Sequence, residues 1–389
     1  MLHILYLVHD LYDPAVRRRM MMLAAGGARV TLAGFRRGDK PIGEVARVAP
    51  IDLGITADGK FLARAATLSA AAVRLRGSLR DIDAPDLIIG RNLEMLALAN
   101  RAQRMFGGDA PIVYECLDIH RLLLREDAIG RGMRAAERAL ARQAGLLLTS
   151  SPAFLRQYFE PRGQFDGPIM LLENKVLALG TTVAEVVTAP AFETPIRIGW
   201  FGALRCHRSL TLLAAFTRRM EGRYQAVLRG RPAQSEFADF EADVAAKPHL
   251  SFEGPYRNPE DLAAIYGGVH FTWAIDFFEA GQNSDWLLPN RLYEGCRHGA
   301  VPIAMAGTET ARFLLDRGIG LILPAPTAEA LEMLLSPIDA PAYAAVRQAV
   351  AAEPLQAWTA DETDCRALVE RLQELVRGAP ALPVLEIAA

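Results

Sequence analysis

The stretch LLPNRLYEGCRHGAVPIA, residues 287–304, sets Pro289, Asn290, Arg291 and Glu294 around a short helix that must end by Gly299. Proline and asparagine both favour helix initiation, so the pattern predicts a helix starting at Pro289 or Asn290, with Asn290 as a candidate N-cap. The unsatisfied N–H groups at its positive end attract a phosphate, Arg291 adds charge, and Glu294 lies one turn on, where a carboxylate accepts both hydroxyls of a ribose. Phosphate and ribose together imply a nucleotide. The competing reading is an ordinary capped helix with a solvated Arg and Glu. Upstream, IGWFGALRCHRSL ends a strand in Gly202 and then presents Arg205, His207 and Arg208, a loop suited to holding a diphosphate. It lacks both the G-x-G-x-x-G spacing and the Walker lysine pattern, which disfavours dehydrogenases and P-loop enzymes.

The elements that must position these residues alternate along the chain in the manner of parallel β-α-β units. HILYLV, ARVTLAGF, LIIG, PIVYEC and GLLLTSS read as strands of a first series, and IRIGWFG, YQAVLRG, LSFEGP, HFTWAI, VPIAMA and IGLILP as a second. The pattern restarts between them. Weak periodicity with Pro190 and Pro195 marks the junction. The expected architecture is therefore α/β, with two doubly wound Rossmann-like domains facing a central cleft. Residues 1–178 form the first domain, 179–194 a linker, 195–355 the second domain, and 356–389 a helix crossing back to the first. In such open sheets, ligands sit beyond the C-terminal ends of the strands.

At 389 residues the chain is long enough for two such domains of about 150 to 200 residues each. Charged residues make up 23% and the net charge is only −2, so nothing points to nucleic acid as a partner. Beneath that total, residues 1–150 carry an excess of Lys and Arg, and the remainder an excess of Asp and Glu. Such an asymmetry suits a first domain that faces an anionic surface or ligand. Cys116, Cys206, Cys296 and Cys365 show no paired spacing, which argues against a disulfide framework or zinc site and fits a reducing cytoplasm. The apolar run near the N-terminus is too short to span a bilayer.

These residues resemble the GT-B fold glycosyltransferases, and within them the family-4-like enzymes of bacterial polysaccharide assembly. The resemblance covers nearly the whole chain. It rests on ILYLVHDLYDPAVRRRMMMLAAGGARVTLAGF, VYECLDIHR, LLEN, IGWFGALR and, most specifically, LPNRLYEGCRHGAVPIA. The sequence is most similar to exopolysaccharide transferases of the succinoglycan type. The resemblance implies transfer of a sugar from a nucleotide diphosphate donor, with UDP expected, to a lipid-linked glycan acceptor. The donor would be bound by Gly202, Arg205, Arg208, Asn290, Arg291 and Glu294, and no metal or other cofactor is implied. Retaining members often carry two glutamates separated by seven residues, whereas here Trp286 stands at the first position, with Glu279 and Asp285 nearby. The stereochemical outcome thus stays open, with retention favoured.

In the first domain, PIVYECLDIHR delivers Glu115, Asp118 and His120 to the end of a strand, and these are the candidate catalytic groups, Asp118 foremost as a base. A helix N-cap is the alternative role for Asp118. His9, Asp10 and Asp13 follow the first strand, and Arg91 and Asn92 follow LIIG, making candidate acceptor contacts. The segment 60–82 interleaves arginines with apolar residues, as a helix lying at the anionic inner leaflet would, or one packing on its own domain. Asp81 and Asp83 precede a strand rather than ending one, and so do not read as metal ligands. The expected location is the cytoplasm, peripheral at the inner membrane. Two rival functions share the fold: a sugar-nucleotide 2-epimerase and a non-catalytic nucleotide-sugar-binding protein.

Overall fold

The computed structural model describes residues 1–38, 41–56, 61–180, 190–378 and 384–386; of residues 61–66 and 384–386 it describes the backbone only. Much of the 179–194 segment therefore lies outside the described residues. The chain forms two compact units. The first comprises Met1–Glu173, Leu177–Gly180 and Ala360–Ala389, and the second Asn174–Val176 and Thr181–Thr359.

Sixteen strands are described: β1 His3–Val8, β2 Arg29–Arg37, β3 Ile51–Thr56, β4 Leu87–Arg91, β5 Ile112–Cys116, β6 Ala144–Thr149, β7 Ile169–Leu171, β8 Val176–Leu177, β9 Ile196–Leu204, β10 Tyr224–Pro232, β11 Leu250–Phe252, β12 Phe271–Trp273, β13 Val301–Met305, β14 Leu321–Leu323, β15 Thr359–Ala360 and β16 Val384–Glu386. The first unit holds an eight-stranded sheet in the order β16-β7-β6-β5-β4-β1-β2-β3, and the second a six-stranded sheet in the order β11-β10-β9-β12-β13-β14. Pairing is parallel throughout both sheets, for example His3 with Arg29 and Ile4 with Leu87. Each order reverses once, between β1 and β4 in the first unit and between β9 and β12 in the second. At such a reversal the flanking loops diverge to opposite faces of the sheet and leave a crevice at the strands' C-terminal ends.

Strands buried on both faces read as continuous apolar runs, and β1 and β5 are buried at every position. The core of the second unit gathers Ile198, Trp200, Leu228, Phe271, Trp273 and Ile303 from its sheet against Leu213 and Phe216 of the helix His207–Arg219. In the first unit Met20 and Leu23 of the helix Pro14–Ala25 share one cluster with Cys365, Leu368 and Leu372 of the helix Glu362–Val376. That C-terminal helix starts in a capping box made by Asp361 and Asp364. All four cysteines are buried and free.

One buried ionic cluster ties the elements of the first unit together. Glu115 on β5 is fully buried; it accepts from the Arg19 Nε at 2.7 Å and from the Tyr6 hydroxyl at 2.5 Å. Arg91, at the end of β4, donates to the same tyrosine oxygen at 2.8 Å and lies 3.8 Å from Glu115 and 3.4 Å from Asp13. Burial alone would raise the Glu115 pKa. The charges of Arg19 and Arg91 and the Tyr6 hydrogen bond outweigh it and hold the carboxyl below the usual range.

Because the folded pKa of Glu115 is depressed, its contribution to stability is complete above the ordinary carboxylate pKa and is lost as pH falls through the folded value. Glu115→Gln leaves Arg19 and Arg91 without their counter-charge and is expected to cost about 3 kcal/mol at neutral pH. Urea unfolding followed by circular dichroism checks this, and the gap to the wild type should shrink under acid.

Candidate functional site

In the second unit the helix Asn290–Arg297 begins one residue earlier than an asparagine cap requires. Pro289 occupies the cap position without a side-chain hydrogen bond, and Asn290 is the first helical residue. The expectation of Asn290 as N-cap is corrected accordingly: the extended Pro289 already sets the entry of the chain. The turn before it is held from two sides, by Asn174 Nδ2 donating to the Leu288 carbonyl at 3.3 Å and by the Thr310 hydroxyl donating to that of Leu287 at 3.1 Å. Asn174 is the last residue of the LLEN motif. Gly295 lets the helix lie against β12, since a Cβ there would come within 2.4 Å of the Thr272 methyl.

Glu294 is buried, and both of its oxygens are oriented by side chains: Asn258 Nδ2 donates to Oε1 at 2.8 Å and the Tyr266 hydroxyl to Oε2 at 3.0 Å. Burial, with the charge of Glu294 next, pushes the Tyr266 hydroxyl pKa far up, so it remains a donor. Arg291 is buried as well, unlike the solvated arginine of an ordinary capped helix, and its Nε has no hydrogen-bond partner.

β9 continues through Gly202 to Leu204 rather than ending there. Gly202 pairs with Gly230 of β10, and a Cβ on Gly230 (φ 136°) would stand 1.9 Å from the Gly202 carbonyl oxygen, so only glycine permits this approach. Arg205 follows directly. Its guanidinium donates to Asp276 Oδ2 at 3.1 Å and lies 4.8 Å from the centre of the Phe278 ring, while Arg208 lies 4.8 Å from that of Phe277. Arg291 approaches the same Asp276 oxygen at 3.6 Å. Burial would raise the Asp276 pKa, but the charges of Arg291 and Arg205 and the N–H of Phe278 lower it below the ordinary value. His207 turns away, its ring against Phe237 and its Nε2 on the Glu236 carbonyl.

Asp276, Asn258 and Tyr266 were not among the sequence-derived candidates. Asp276 carried the signal that picked out Asp118, an acid just beyond a strand's C-terminal end. Asn258 and Tyr266 carried none, because they meet Glu294 only in three dimensions. Of the acids near Trp286, Glu279 accepts from Asn283 at 2.9 Å and Asp285 from the Gly281 N–H at 2.8 Å, both within their own loop.

In the first unit Glu115, a candidate catalytic group, is corrected: it is sealed in the ionic cluster described above and acts as a structural anion. Arg91, a candidate acceptor contact, is only 2% exposed and is enclosed by the same cluster. Asp118 is exposed at the end of β5. The capping role weighed for Asp118 falls instead to His120, whose Nδ1 accepts from the Leu122 N–H at 3.2 Å at the start of a 3-10 turn. Asp13 caps the helix Pro14–Ala25 through the Ala15 N–H, and Asp10 is buried, paired with Arg37 at 3.1 Å. Asn92, at φ 65°, accepts from the Leu117 N–H at 3.5 Å.

His9 lines a cavity with Phe35, Arg37, Thr56, Glu94 and Met95 at the C-terminal ends of β1, β2 and β3. Burial, then the charge of Arg91, lowers the His9 pKa, so the ring is neutral at pH 7, and its buried Nδ1 has no hydrogen-bond partner.

The segment 60–82 contains the helix Phe61–Ser78. Ala71 and Leu75 on one face of it, and Leu79 just beyond its end, are buried, whereas Val73, Arg74 and Arg76 are exposed. No described helix is long and apolar enough to cross a membrane. Asp83 pairs with Arg29 and Asp81 with Arg80. Among the described residues, no group of three or more His, Cys, Asp or Glu side chains is placed to hold a metal ion.

No family model matches the chain. The succinoglycan biosynthesis protein ExoL of Rhizobium meliloti (strain 1021) is 58% identical over 393 residues, covering 100% of this chain and 98% of that one. Among solved structures, sucrose-phosphate synthase from Thermosynechococcus elongatus superposes with a TM-score of 0.69 at 16% identity, over 98% of this chain and 100% of that one. HepE of Anabaena, in complex with UDP-glucose, gives 0.62 at 15% identity over 97% and 100%. These structural likenesses establish the fold as GT-B, with two Rossmann-like domains. With more than half its residues identical from end to end, the chain belongs to the family of the succinoglycan biosynthesis protein ExoL.

Proposed function

We propose that the protein is a glycosyltransferase of exopolysaccharide synthesis, moving a sugar from a UDP-sugar to a lipid-linked oligosaccharide without a metal. The observation that carries this reading is Glu294, buried, oriented by Asn258 and Tyr266, and one turn into a helix whose N-terminus adjoins Arg291. A preset carboxylate of this kind suits a vicinal diol such as ribose. Arg205 and Arg208, at the end of β9, suit the diphosphate. Kinship with ExoL supports the exopolysaccharide context and does not favour the epimerase, and the crystallised complex of HepE with UDP-glucose supports UDP.

The mechanism is electrostatic. Arginines and the helix N-terminus stabilise negative charge on the departing diphosphate, the work a divalent ion does in other transferases. Acceptor hydroxyls are received in the first unit, at the cavity beside His9 and Glu94. We favour a retaining reaction, in which the leaving diphosphate takes the acceptor proton; in an inverting one Asp118 is the base. The exposed Val73, Arg74 and Arg76 bring the first unit to an anionic leaflet from the cytoplasmic side.

Release of nucleoside diphosphate from a panel of nucleotide sugars, with membrane extract as acceptor source, tests the reaction. Turnover should be unchanged by EDTA, and interconversion of the donor sugar without transfer would instead indicate an epimerase. Glu294→Ala is expected to weaken UDP binding by about 100-fold in calorimetry, since it removes the charged acceptor of two hydroxyl hydrogen bonds, with thermal unfolding still cooperative. Asp118→Asn separates the stereochemical courses: a retaining enzyme keeps kcat within about tenfold, whereas loss of a general base costs about 100-fold or more.

A further inference from the structure

Two guanidinium groups, those of Arg205 and Arg291, converge on one buried carboxylate at the reversal between β9 and β12 of the second unit, and Arg208 stands over the neighbouring Phe277. Like charges so close repel one another, and each guanidinium has several orientations open to it. Asp276 meets both problems. Its Oδ2 receives Arg205 at 3.1 Å and Arg291 at 3.6 Å, so one anion spans the reversal and offsets the repulsion between two cations. Its Oδ1 accepts from the Phe278 N–H at 2.8 Å, which turns the chain so that Phe277 lies under Arg208 and Phe278 under Arg205.

Each arginine has five N–H donors in a rigid fork, and the pairing with Asp276 occupies only part of that set. The Arg291 Nε is buried without a partner, and the Arg205 side chain is 38% exposed. Donors thus remain for an incoming anion. Their excess positive charge suits a diphosphate better than a single phosphate.

We infer that Asp276, with the Phe277–Phe278 turn it holds, is the positioning element of the donor diphosphate site. It does not touch the donor. It aligns Arg205 and Arg291 beforehand, so the site needs little reorganisation when the diphosphate arrives. The inference rests on the reading of this unit as the nucleotide-binding one, and the experiment separates the two.

Calorimetry with UDP and UMP is run on the wild type, Arg205→Ala, Asp276→Asn and Phe278→Leu, with GDP/GMP and ADP/AMP pairs in parallel. Asparagine keeps the acceptor for the Phe278 N–H and removes only the charge that aligns the arginines. Asp276→Asn is expected to weaken UDP by about tenfold while leaving UMP within about twofold, because the charge-assisted hydrogen bonds it disturbs are those to the second phosphate. Phe278→Leu alters a half-exposed ring, leaves the buried carboxylate intact, and is expected to show a smaller decrease of the same selectivity. If Asp276→Asn does not fold, Phe278→Leu decides. Equal weakening of UDP and UMP would mean a general structural role and would overturn the inference, as would unchanged UDP affinity in variants of a wild type that binds UDP and ceases to do so in Arg205→Ala. A wild type that binds no nucleoside diphosphate would overturn the nucleotide reading itself.

Discussion

A buried carboxylate shared by two arginines recurs in both units, and the rest of each unit's chemistry follows from how that group is enclosed. In the first, Glu115 takes Arg19 and Arg91; in the second, Asp276 takes Arg205 and Arg291. Both sit at the C-terminal ends of a parallel sheet near the point where its strand order reverses. Glu115 has no exposed surface, and the Tyr6 hydroxyl, donating to Glu115 and accepting from Arg91, completes the enclosure. Its charges are spent on tying β1, β4, β5 and the helix Pro14–Ala25 together. Arg205, by contrast, keeps an exposed face, and cationic donors remain there for a ligand. The same ionic motif is thus sealed in one unit and partly open to solvent in the other.

Parallel pairing explains why these groups gather where they do. Every strand of such a sheet points the same way, so the loops that leave its C-terminal edge are neighbours although far apart in sequence. Arg205 and Asp276 are brought together by β9 pairing with β12, and Glu294 meets Asn258 because the helix Asn290–Arg297 returns along β12. A Cβ on Gly230 would meet the Gly202 carbonyl and one on Gly295 the Thr272 side chain, so these two glycines set the spacing of these parts.

Much of the fold was legible in the chain, and the misses have physical causes. The long apolar runs of β1, β4, β5, β9 and β13 were read as strands because burial on both faces demands them. β3 was missed: it is an edge strand, half-exposed, with Asp52 and Gly54 interrupting its apolar residues. β7 and β16, of three residues each, were also missed, and their pairing comes from the sheet they join. The helix over residues 61–78 was legible as amphipathic, but its direction was not. Only packing revealed that Ala71, Leu75 and Leu79 turn inward.

The candidate site divides along the same line. Residue type and local spacing determined the short helix with Glu294 one turn inside it, the arginines after β9, and the acids at the end of β5, because a helix start or a strand end is written in a few adjacent residues. Which acid is buried and which exposed, that His120 rather than Asp118 caps its turn, and that Asp276 gathers Arg205 and Arg291, the tertiary structure alone decided. Burial and ion pairing depend on groups 71 to 109 positions apart in the chain, as between Arg205 and Asp276 or Tyr6 and Glu115. No local pattern encodes the environment that sets a carboxylate's charge and role.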